Sequence, residues 1–266
     1  MRPHATRAAF AWLRFLLSLA LLALLVRSLV VAPFNIPSRS MTPRMIVGDY
    51  LFVAKWPYGY SRYSFPFAPG FIEGRIWGSP PQRGDIVVFQ SPAGDDDYVK
   101  RLIGLPGDRV QMIDGVVVLN GAPVPRVRIA DFVEPAVDGT CETAPWANVR
   151  LERGPAGEMR CRTARYREIL PGGASYEVLD IGDSVGDNTI EFAVPTGHYF
   201  MLGDDRDRSA DSRFVASAGG GVGMIPAENL IGRALVVFWS TDGGARWINP
   251  ASWFSATRWE RIGETF

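Results

Sequence analysis

Residues 33–43 read Pro-Phe-Asn-Ile-Pro-Ser-Arg-Ser-Met-Thr-Pro and directly follow the one strongly apolar segment of the chain. They contain two serines, Ser38 and Ser40, whose side chains point to the same face if the backbone is extended. Prolines fix φ and restrict the residues before them to extended conformations. The stretch therefore predicts a stiff, extended strip that presents a pair of hydroxyl groups. A plain linker with turn-forming serines is the alternative.

Residues 1–34 predict a membrane anchor. Three arginines precede a charge-free, leucine-rich run of 12 residues, 15–26, which is shorter than the roughly 20 residues that span a bilayer. Residues 8–31 are long enough if Arg14 and Arg27 extend their charged ends towards the two interfaces. A cleaved secretory signal is the alternative, but Arg27 interrupts the approach to its cleavage site. The basic N-terminus predicts a cytoplasmic start, with the bulk of the chain across the membrane.

The composition argues against several classes of function. The 266 residues carry 28 basic and 28 acidic side chains, so the positive charge that a nucleic-acid partner requires is missing. Cys141 and Cys161 could form one disulfide in an oxidising compartment, and with two histidines they make no plausible zinc site. We therefore expect no nucleic acid, no metal and no cofactor. Only His198 could serve a Ser/His/Asp triad, because His4 precedes the apolar segment, and we expect a structural role for His198.

The chain has two lysines, Lys55 and Lys100, against 26 arginines. Arginine stays protonated in proteins, whereas a buried lysine can lose its proton. Lys100 falls in the apolar run 98–103, where alternation places it on one face with Tyr98 and Leu102. Burial would lower its pKa by up to roughly 3–5 units, and a lysine near neutrality can act as a general base towards a serine. A surface lysine on an edge strand is the alternative.

The chain after residue 48 predicts mainly β structure, because short β-branched and aromatic runs alternate with turn residues. Asp114-Gly115 between 110–113 and 116–119 is a strong hairpin signal. Residues 125–175 are the least patterned part, and we interpret them as an inserted β region. The other predicted strands are 50–54, 84–89, 98–103, 176–181, 190–194, 198–202 and 234–239.

Two loops between the predicted strands are unusual in composition. Residues 56–77 are aromatic and broken by Pro and Gly, which fits either an ordered loop or a loop that enters the lipid headgroup region. Residues 203–213 alternate Asp with Arg, and this pattern fits a rigid turn that supports a site as well as a solvated loop. In an extended backbone, the side chains of Ser209, Asp211 and Arg213 would share one face.

Several motifs occur together in one order along the chain. They are Pro37-Ser38-Arg39-Ser40-Met41, Gly48-Asp49, Gly84-Asp85-Ile86-Val87-Val88-Phe89, Tyr98-Val99-Lys100-Arg101 followed by Gly104-Leu105-Pro106-Gly107-Asp108, and Gly203-Asp204-Asp205-Arg206-Asp207 through Asp211-Ser212-Arg213. Together they resemble the bacterial type I signal peptidases, also called leader peptidases, over the anchor and most of the chain outside the inserted region.

The resemblance implies a mainly β fold, in which an N-terminal transmembrane helix precedes an antiparallel β-sheet catalytic domain with a smaller inserted β region. The division that corresponds to it is 1–34 for the cytoplasmic tip and anchor, 35–124 and 176–266 for the two parts of the catalytic domain, and 125–175 for the insertion.

The resemblance also implies a Ser/Lys dyad protease. Ser40 would be the nucleophile and Lys100 the general base, and the Ser40 N–H with the Ser38 hydroxyl would form the oxyanion hole. Ser209 would form a hydrogen bond with Lys100 and orient it, and Asp211 and Arg213 would form a supporting ion pair. Shallow apolar pockets for the substrate would be lined by Ile36, Met41, Met45, Tyr98 and Val99.

The function implied in this way is the removal of N-terminal signal peptides from exported preproteins, after small residues at −1 and −3. The enzyme would sit in the bacterial inner (cytoplasmic) membrane by a single span, with a cytoplasmic N-terminus and its catalytic domain on the periplasmic or outer face. Its partners would be preprotein signal peptides and membrane lipid. Two alternatives remain: a relative with the same dyad and one dedicated substrate, such as a pilin-maturation protease, and a membrane-tethered β domain without catalysis.

The sequence departs from the family pattern at four positions. Arg39 stands where a small residue is usual, Arg44 replaces a small or polar residue, and Asp205 and Arg208 stand where asparagines are usual. Arg39 should point away from the two serine hydroxyls if the strip is extended, so we expect it to be tolerated. The glycine-rich loop 214–224 is longer than in some relatives.

Overall fold

The computed structural model describes residues 3–141, 148–246 and 248–266. It begins with helix α1 (Pro3–Leu29). Residues Phe10–Leu29 of this helix are long and apolar enough to cross a membrane, and every side chain in that stretch except Ser28 is exposed. At 1.5 Å per residue, 20 helical residues extend about 30 Å, which is the thickness of the hydrocarbon core. The predicted apolar helix is therefore present, and it ends at Leu29.

The rest of the described chain is mainly β structure, as predicted. Its strands are β1 (Val31–Asn35), β2 (Asp49–Ala54), β3 (Ile86–Gln90), β4 (Asp97–Gly104), β5 (Arg109–Ile113), β6 (Val116–Leu119), β7 (Ala122–Pro123), β8 (Arg126–Pro135), β9 (Arg150–Arg153), β10 (Met159–Ile169), β11 (Ser175–Leu179), β12 (Phe192–Ala193), β13 (His198–Leu202), β14 (Ile225–Pro226) and β15 (Leu230–Ser240). A short helix, α2 (Pro250–Ala256), follows β15.

The main sheet has seven strands in the order β1-β2-β15-β3-β4-β13-β14. Every neighbouring pair in it is antiparallel, which confirms the predicted fold class. Strand β1 lies at one edge, and β13 pairs with β4 only from Arg101 to Gly104. Among the described residues, the backbone without a strand partner in this sheet includes the outer side of β1 and the β13 side of β4 from Asp97 to Lys100.

Two smaller sheets lie beside the main one. Strands β8, β10 and β11 pair with one another, and β9 pairs with β10; we call these four strands the inserted sheet. A disulfide joins Cys141 to Cys161 of β10, with 5.6 Å between their Cα atoms. The third sheet contains β12, β5, β6 and β7. The proposed domain boundaries themselves stay a prediction.

The hairpin predicted at Asp114-Gly115 is confirmed. Strands β5 and β6 pair up to Ile113 and Val116, and the two residues between them have φ of 47° and 73°. Positive φ at both central positions is the geometry that matches the twist of a hairpin. The sequence did not predict β1, which begins within the stretch assigned to the anchor, and the strand expected at 190–194 is reduced to the two residues of β12.

An apolar core lies beneath the first turn after β1. It contains Ile36, Met41, Met45, Leu51, Val53, Ile86, Val88, Ile231 and Ala234. Met41 and Met45 are completely buried, and burial of such a side chain contributes about 1.5–3 kcal/mol. This packing fixes the turn that follows Ser40, and so it connects the core to the candidate site.

The aromatic loop 56–77 is ordered at its base and exposed at its tip. Tyr58 is buried and donates a hydrogen bond to Asp85. Phe67, Phe71 and Trp77 are more than four-fifths exposed. The base therefore packs against the main sheet, while the tip presents apolar surface to the surroundings.

Candidate active site

Residues 33–35 of the predicted extended strip lie in β1, but Ser38 and Ser40 lie in a bend and a turn, so the prediction is wrong for the two serines. The amide of Thr42 donates to the carbonyl of Arg39 over 2.8 Å, and the amide of Met45 donates to the carbonyl of Met41 over 2.9 Å. Burial of the two methionines in the core favours this turn over an extended strip. The hydroxyl oxygens of Ser38 and Ser40 nevertheless lie only 3.3 Å apart.

Lys100 lies in β4, opposite Val87 of β3. Its side chain is only 3% exposed, and its Nζ donates a hydrogen bond of 2.5 Å to Ser40 Oγ. Burial lowers the pKa of Lys100 to about 8, and the carboxylate of Asp211 opposes part of that shift. The lysine is thus placed to exchange a proton with the serine near neutral pH.

The charged loop after β13 supports this pair from the other side. The Asp205 amide donates to the Ser40 carbonyl over 3.1 Å. Asp211 accepts a 2.8 Å bond from Arg213 Nε and a 3.1 Å bond from the Gly203 amide. Burial alone would raise the pKa of Asp211, but the charge and hydrogen bonds of Arg213 outweigh it and lower that pKa. The loop therefore keeps a carboxylate charged close to Lys100.

Ser209 is buried beside Ser40. A Cβ atom at Gly203 would collide with the Ser209 hydroxyl and would lie 2.5 Å from the Ser40 carbonyl oxygen, so glycine permits this close approach. Among the described residues the Ser209 hydroxyl has no hydrogen-bond partner. The expected hydrogen bond from Ser209 to Lys100 is therefore not formed in this structure, and a role of Ser209 in orienting the lysine stays a prediction.

A cavity of about 390 Å³ opens at the Ser40–Lys100 pair. Of the residues predicted to contact substrate, Ile36, Tyr98 and Val99 line it. Met41 and Met45 lie instead in the core beneath it. The lining of the cavity includes residues 34–38, at the end of β1 and just beyond it, and residues 96–100, at the start of β4 where β13 does not pair.

Two buried ion pairs near the site were not predicted. Arg101 forms a bidentate pair with Asp204, at 2.7 and 2.6 Å. Arg206 pairs with Glu168 of β10, which also accepts a 2.7 Å bond from the Tyr176 hydroxyl. The alternating Asp and Arg residues of loop 203–213 were the available signal, but their partners come from distant strands.

Three of the unusual residues cluster beside Ser40. Arg39 pairs with Glu134 of β8, and Asp205 accepts a 3.3 Å bond from Arg208. Burial raises the pKa of Asp205 to about 7, although the charges of Arg208 and Arg39 oppose that shift. The charged residues therefore occur as a group whose members partly compensate one another.

No group of three or more His, Cys, Asp or Glu side chains within the described ranges is arranged to hold a metal ion. The chemistry available at the site is that of a serine hydroxyl, a buried amine that titrates near pH 8 and a second hydroxyl close by. These groups are suited to nucleophilic attack on a carbonyl carbon. The fold and site thus have the features of a serine hydrolase on a mainly β scaffold.

Comparison with known proteins gives the family. Residues 9–239 match the family model described as "Signal peptidase, peptidase S26". The chain is 37% identical to signal peptidase I of Rickettsia typhi and 38% identical to that of Rickettsia akari, and each alignment covers 83% of this chain and 76% of the relative. A crystal structure of signal peptidase I from Enterococcus faecalis matches with 22% identity and a TM-score of 0.30, over 58% of this chain and 97% of that one. The chain belongs to the signal peptidase family, peptidase S26, and is a peptidase.

Proposed function

We propose that this protein is a membrane-anchored serine endopeptidase that cleaves N-terminal signal peptides from exported preproteins. The observation that carries the proposal is the 2.5 Å contact between Lys100 Nζ and Ser40 Oγ in a buried site. In its neutral form, Lys100 accepts the hydroxyl proton of Ser40 while Ser40 Oγ attacks the scissile carbonyl carbon. The protonated lysine then donates its proton to the leaving amine, and water hydrolyses the acyl-enzyme with Lys100 again as base.

The oxyanion of the tetrahedral intermediate is stabilised by the Ser40 N–H and the Ser38 hydroxyl. The 3.3 Å separation of the two hydroxyl oxygens supports this assignment, because it places the Ser38 hydroxyl beside the attacking atom. Loss of one such donor typically costs roughly 3–4 kcal/mol of transition-state stabilisation. Asp211 and Arg213 act through Lys100, since they fix the charge and position of the loop against which the lysine packs.

The substrate binds as an added strand between the unpaired edges of β1 and β4. Support comes from the cavity lining, which includes residues 34–38 and 96–100. Backbone hydrogen bonds to such edges supply affinity, and the side-chain pockets between them supply specificity. Ile36, Tyr98 and Val99 contribute apolar surface to those pockets, which accept the small residues at −1 and −3 of the signal peptide. Met41 and Met45 support these pockets from the core.

The helix α1 anchors the enzyme in the bacterial inner (cytoplasmic) membrane with its N-terminus in the cytoplasm. The apolar length of Phe10–Leu29 supports this, and so does the basic residue content before it. Ser40 follows Leu29 by 11 residues, which keeps the site near the membrane face where the signal peptide of an exported preprotein emerges. The exposed rings of Phe67, Phe71 and Trp77 enter the lipid interface.

The proposal is tested by cleavage of a preprotein whose signal peptide ends in Ala-x-Ala, in detergent or lipid. The wild-type enzyme should cut after the −1 alanine, and Ser40→Ala should not. Cleavage of several unrelated preproteins excludes a protease dedicated to one substrate. Proteolysis that persists in Ser40→Ala would refute the assigned nucleophile, and absence of cleavage by the wild-type enzyme would refute the proposed substrate class.

A further inference from the structure

We infer that Glu134 of the inserted sheet is a positioning residue for the Ser38–Ser40 segment and acts through Arg39; this rests on the proposed function, in which Ser40 is the nucleophile. Arg39 is the residue between the two serines, and its Nη2 pairs with Glu134 Oε1, 95 residues further along the chain. The middle side chain of the candidate catalytic turn is therefore attached to a different sheet from the one that carries Lys100.

Glu134 is suited to this role because its own backbone is fixed. It lies near the end of β8, where it is the register partner of Cys161 in β10. Cys161 is joined in turn to Cys141, which follows β8 in the chain. A carboxylate carried by a paired strand and a cross-linked neighbour holds its position better than one on a free loop. The ion pair can thus transmit the position of the inserted sheet to Arg39.

The inserted sheet also contacts the second loop of the site, independently of Arg39. Arg206 Nη1 pairs with Glu168 of β10 over 2.9 Å, in a buried position. The Leu179 amide at the end of β11 donates a 2.8 Å hydrogen bond to the Asp204 carbonyl. The next residue, Asp205, donates its amide to the Ser40 carbonyl. Ser40 is therefore held by the inserted sheet from two directions, through Arg39 and through the charged loop.

The position of Arg39 matters because its side chain carries a positive charge close to the site. Its guanidinium acts on the buried carboxyl group of Asp205, which also pairs with Arg208. With Glu134 in place, Arg39 has a carboxylate partner on the side of the inserted sheet. Removing the Glu134 carboxylate takes away one of the attractions that set the position of this guanidinium. We expect the resulting shift of Arg39 to disturb the turn that positions the Ser38 and Ser40 hydroxyl groups.

A purely structural ion pair would behave differently. The Arg39 and Glu134 side chains are 29% and 23% exposed, and such pairs contribute little to global stability. A positioning contact should therefore change kcat while leaving the melting temperature unchanged. The inserted sheet offers a matched control in Glu152 of β9, which pairs with Arg162 of β10 at 2.8 Å and is 37% exposed.

The test compares Glu134→Gln with Glu152→Gln in the cleavage assay with an Ala-x-Ala preprotein. We expect Glu134→Gln to lower kcat about two- to fivefold, with KM and melting temperature unchanged. A rate change of that size corresponds to the interaction energy that is typical of one partly exposed ion pair. Glu152→Gln should match the wild-type enzyme. The exchange Arg39→Glu with Glu134→Arg should recover most of the kcat that Arg39→Glu alone loses.

Equal kcat values for Glu134→Gln and Glu152→Gln would overturn the inference, and so would an exchanged pair that recovers nothing. A fall in melting temperature that accounts for the lost activity would also overturn it, because it would show a structural role. None of these results affects the proposed function, provided that the wild-type enzyme cleaves and Ser40→Ala does not. Failure of that basal comparison would instead refute the proposed function.

Discussion

The surroundings of the two lysines, Lys100 and Lys55, are alike in burial and different in chemistry. Their side chains are 3% and 5% exposed, and burial lowers the pKa of each to about 8. Lys100 Nζ contacts the Ser40 hydroxyl, whereas Lys55 Nζ donates a 2.7 Å hydrogen bond to the Ser64 carbonyl oxygen. A hydroxyl can give up a proton, but a carbonyl oxygen can only accept a hydrogen bond. A lowered lysine pKa therefore does not mark a catalytic base without a suitable partner.

The position of Lys55 explains what its burial serves. It directly follows β2, and its amide donates to the carbonyl of Val30, the residue between α1 and β1. Its side chain reaches the short helical turn Arg62–Ser64 in the aromatic loop. Lys55 thus connects the end of the apolar helix, the main sheet and the aromatic loop, and we expect its contribution to be structural.

The largest expected effect separates the two lysines by activity. Lys100→Met should lower kcat/KM for preprotein cleavage by at least about a thousandfold, as loss of the base does in other serine hydrolases. Lys55→Met should stay within about fivefold of the wild-type enzyme, since no reacting group contacts Lys55. Single-turnover cleavage with equal amounts of folded protein measures both. Equal losses of kcat/KM in the two variants would show that the hydrogen-bond partner of a buried lysine does not determine its role.

The dependence of kcat/KM on pH should also distinguish Lys100 from Lys55. Only the neutral form of Lys100 can accept the Ser40 proton, so kcat/KM should rise about tenfold per pH unit below pH 8 and level off above it. Lys55→Met should leave the midpoint unchanged. Initial rates between pH 6 and 10 test this. A flat profile for the wild-type enzyme would rule out Lys100 as the base, and a midpoint that moves in Lys55→Met would implicate the second lysine.

The stability of the aromatic loop should be reduced in Lys55→Met and not in Lys100→Met, the opposite order to the effects on activity. Lys55→Met leaves the buried Ser64 carbonyl without its donor, which typically costs about 1–3 kcal/mol in unfolding free energy. The loss should appear first around the aromatic loop, as faster proteolysis or hydrogen exchange at residues 56–77. Lys100→Met should not increase exchange there. Unchanged protection of the loop in Lys55→Met would contradict the structural role of Lys55.

Sequence patterns anticipated the local features of this molecule better than its long-range pairs. The hairpin at Asp114-Gly115 depends on two adjacent residues that accept positive φ. Lys100 was identifiable because lysine is rare in this chain and because the residue lies in an apolar run. Lys55 is the other of the two lysines, but nothing in the neighbouring sequence showed which atom it would contact. Its partner, the Ser64 carbonyl, is brought close to it by a turn of the aromatic loop.

The turn at Ser40 and the ion pair of Arg39 illustrate why the remainder was not predictable. Prolines favoured an extended strip locally, yet burial of Met41 and Met45 in the core overrode that preference. The partner of Arg39 is fixed by the register of β8 against β10, including an irregularity between Thr163 and Arg165. Such a register depends on tertiary packing and is not visible in a list of charged residues.

The smallest expected effect concerns a property that the two lysines share. Each has a folded-state pKa of about 8, against the ordinary lysine pKa of 10.5, so the unfolded chain binds more protons between those two pH values. The unfolding free energy should therefore rise with pH across this window, and this contribution is lost as pH falls through about 8. Replacing either lysine with methionine should reduce the slope by up to about 1 kcal/mol per pH unit. Denaturant titrations in detergent at pH 8 and 10 measure it, with Arg167→Met as an exposed control. An unchanged slope in Lys100→Met would show that the pKa of Lys100 is not lowered in the folded wild-type protein. Lys100 and Lys55 would then differ only in the groups that they contact.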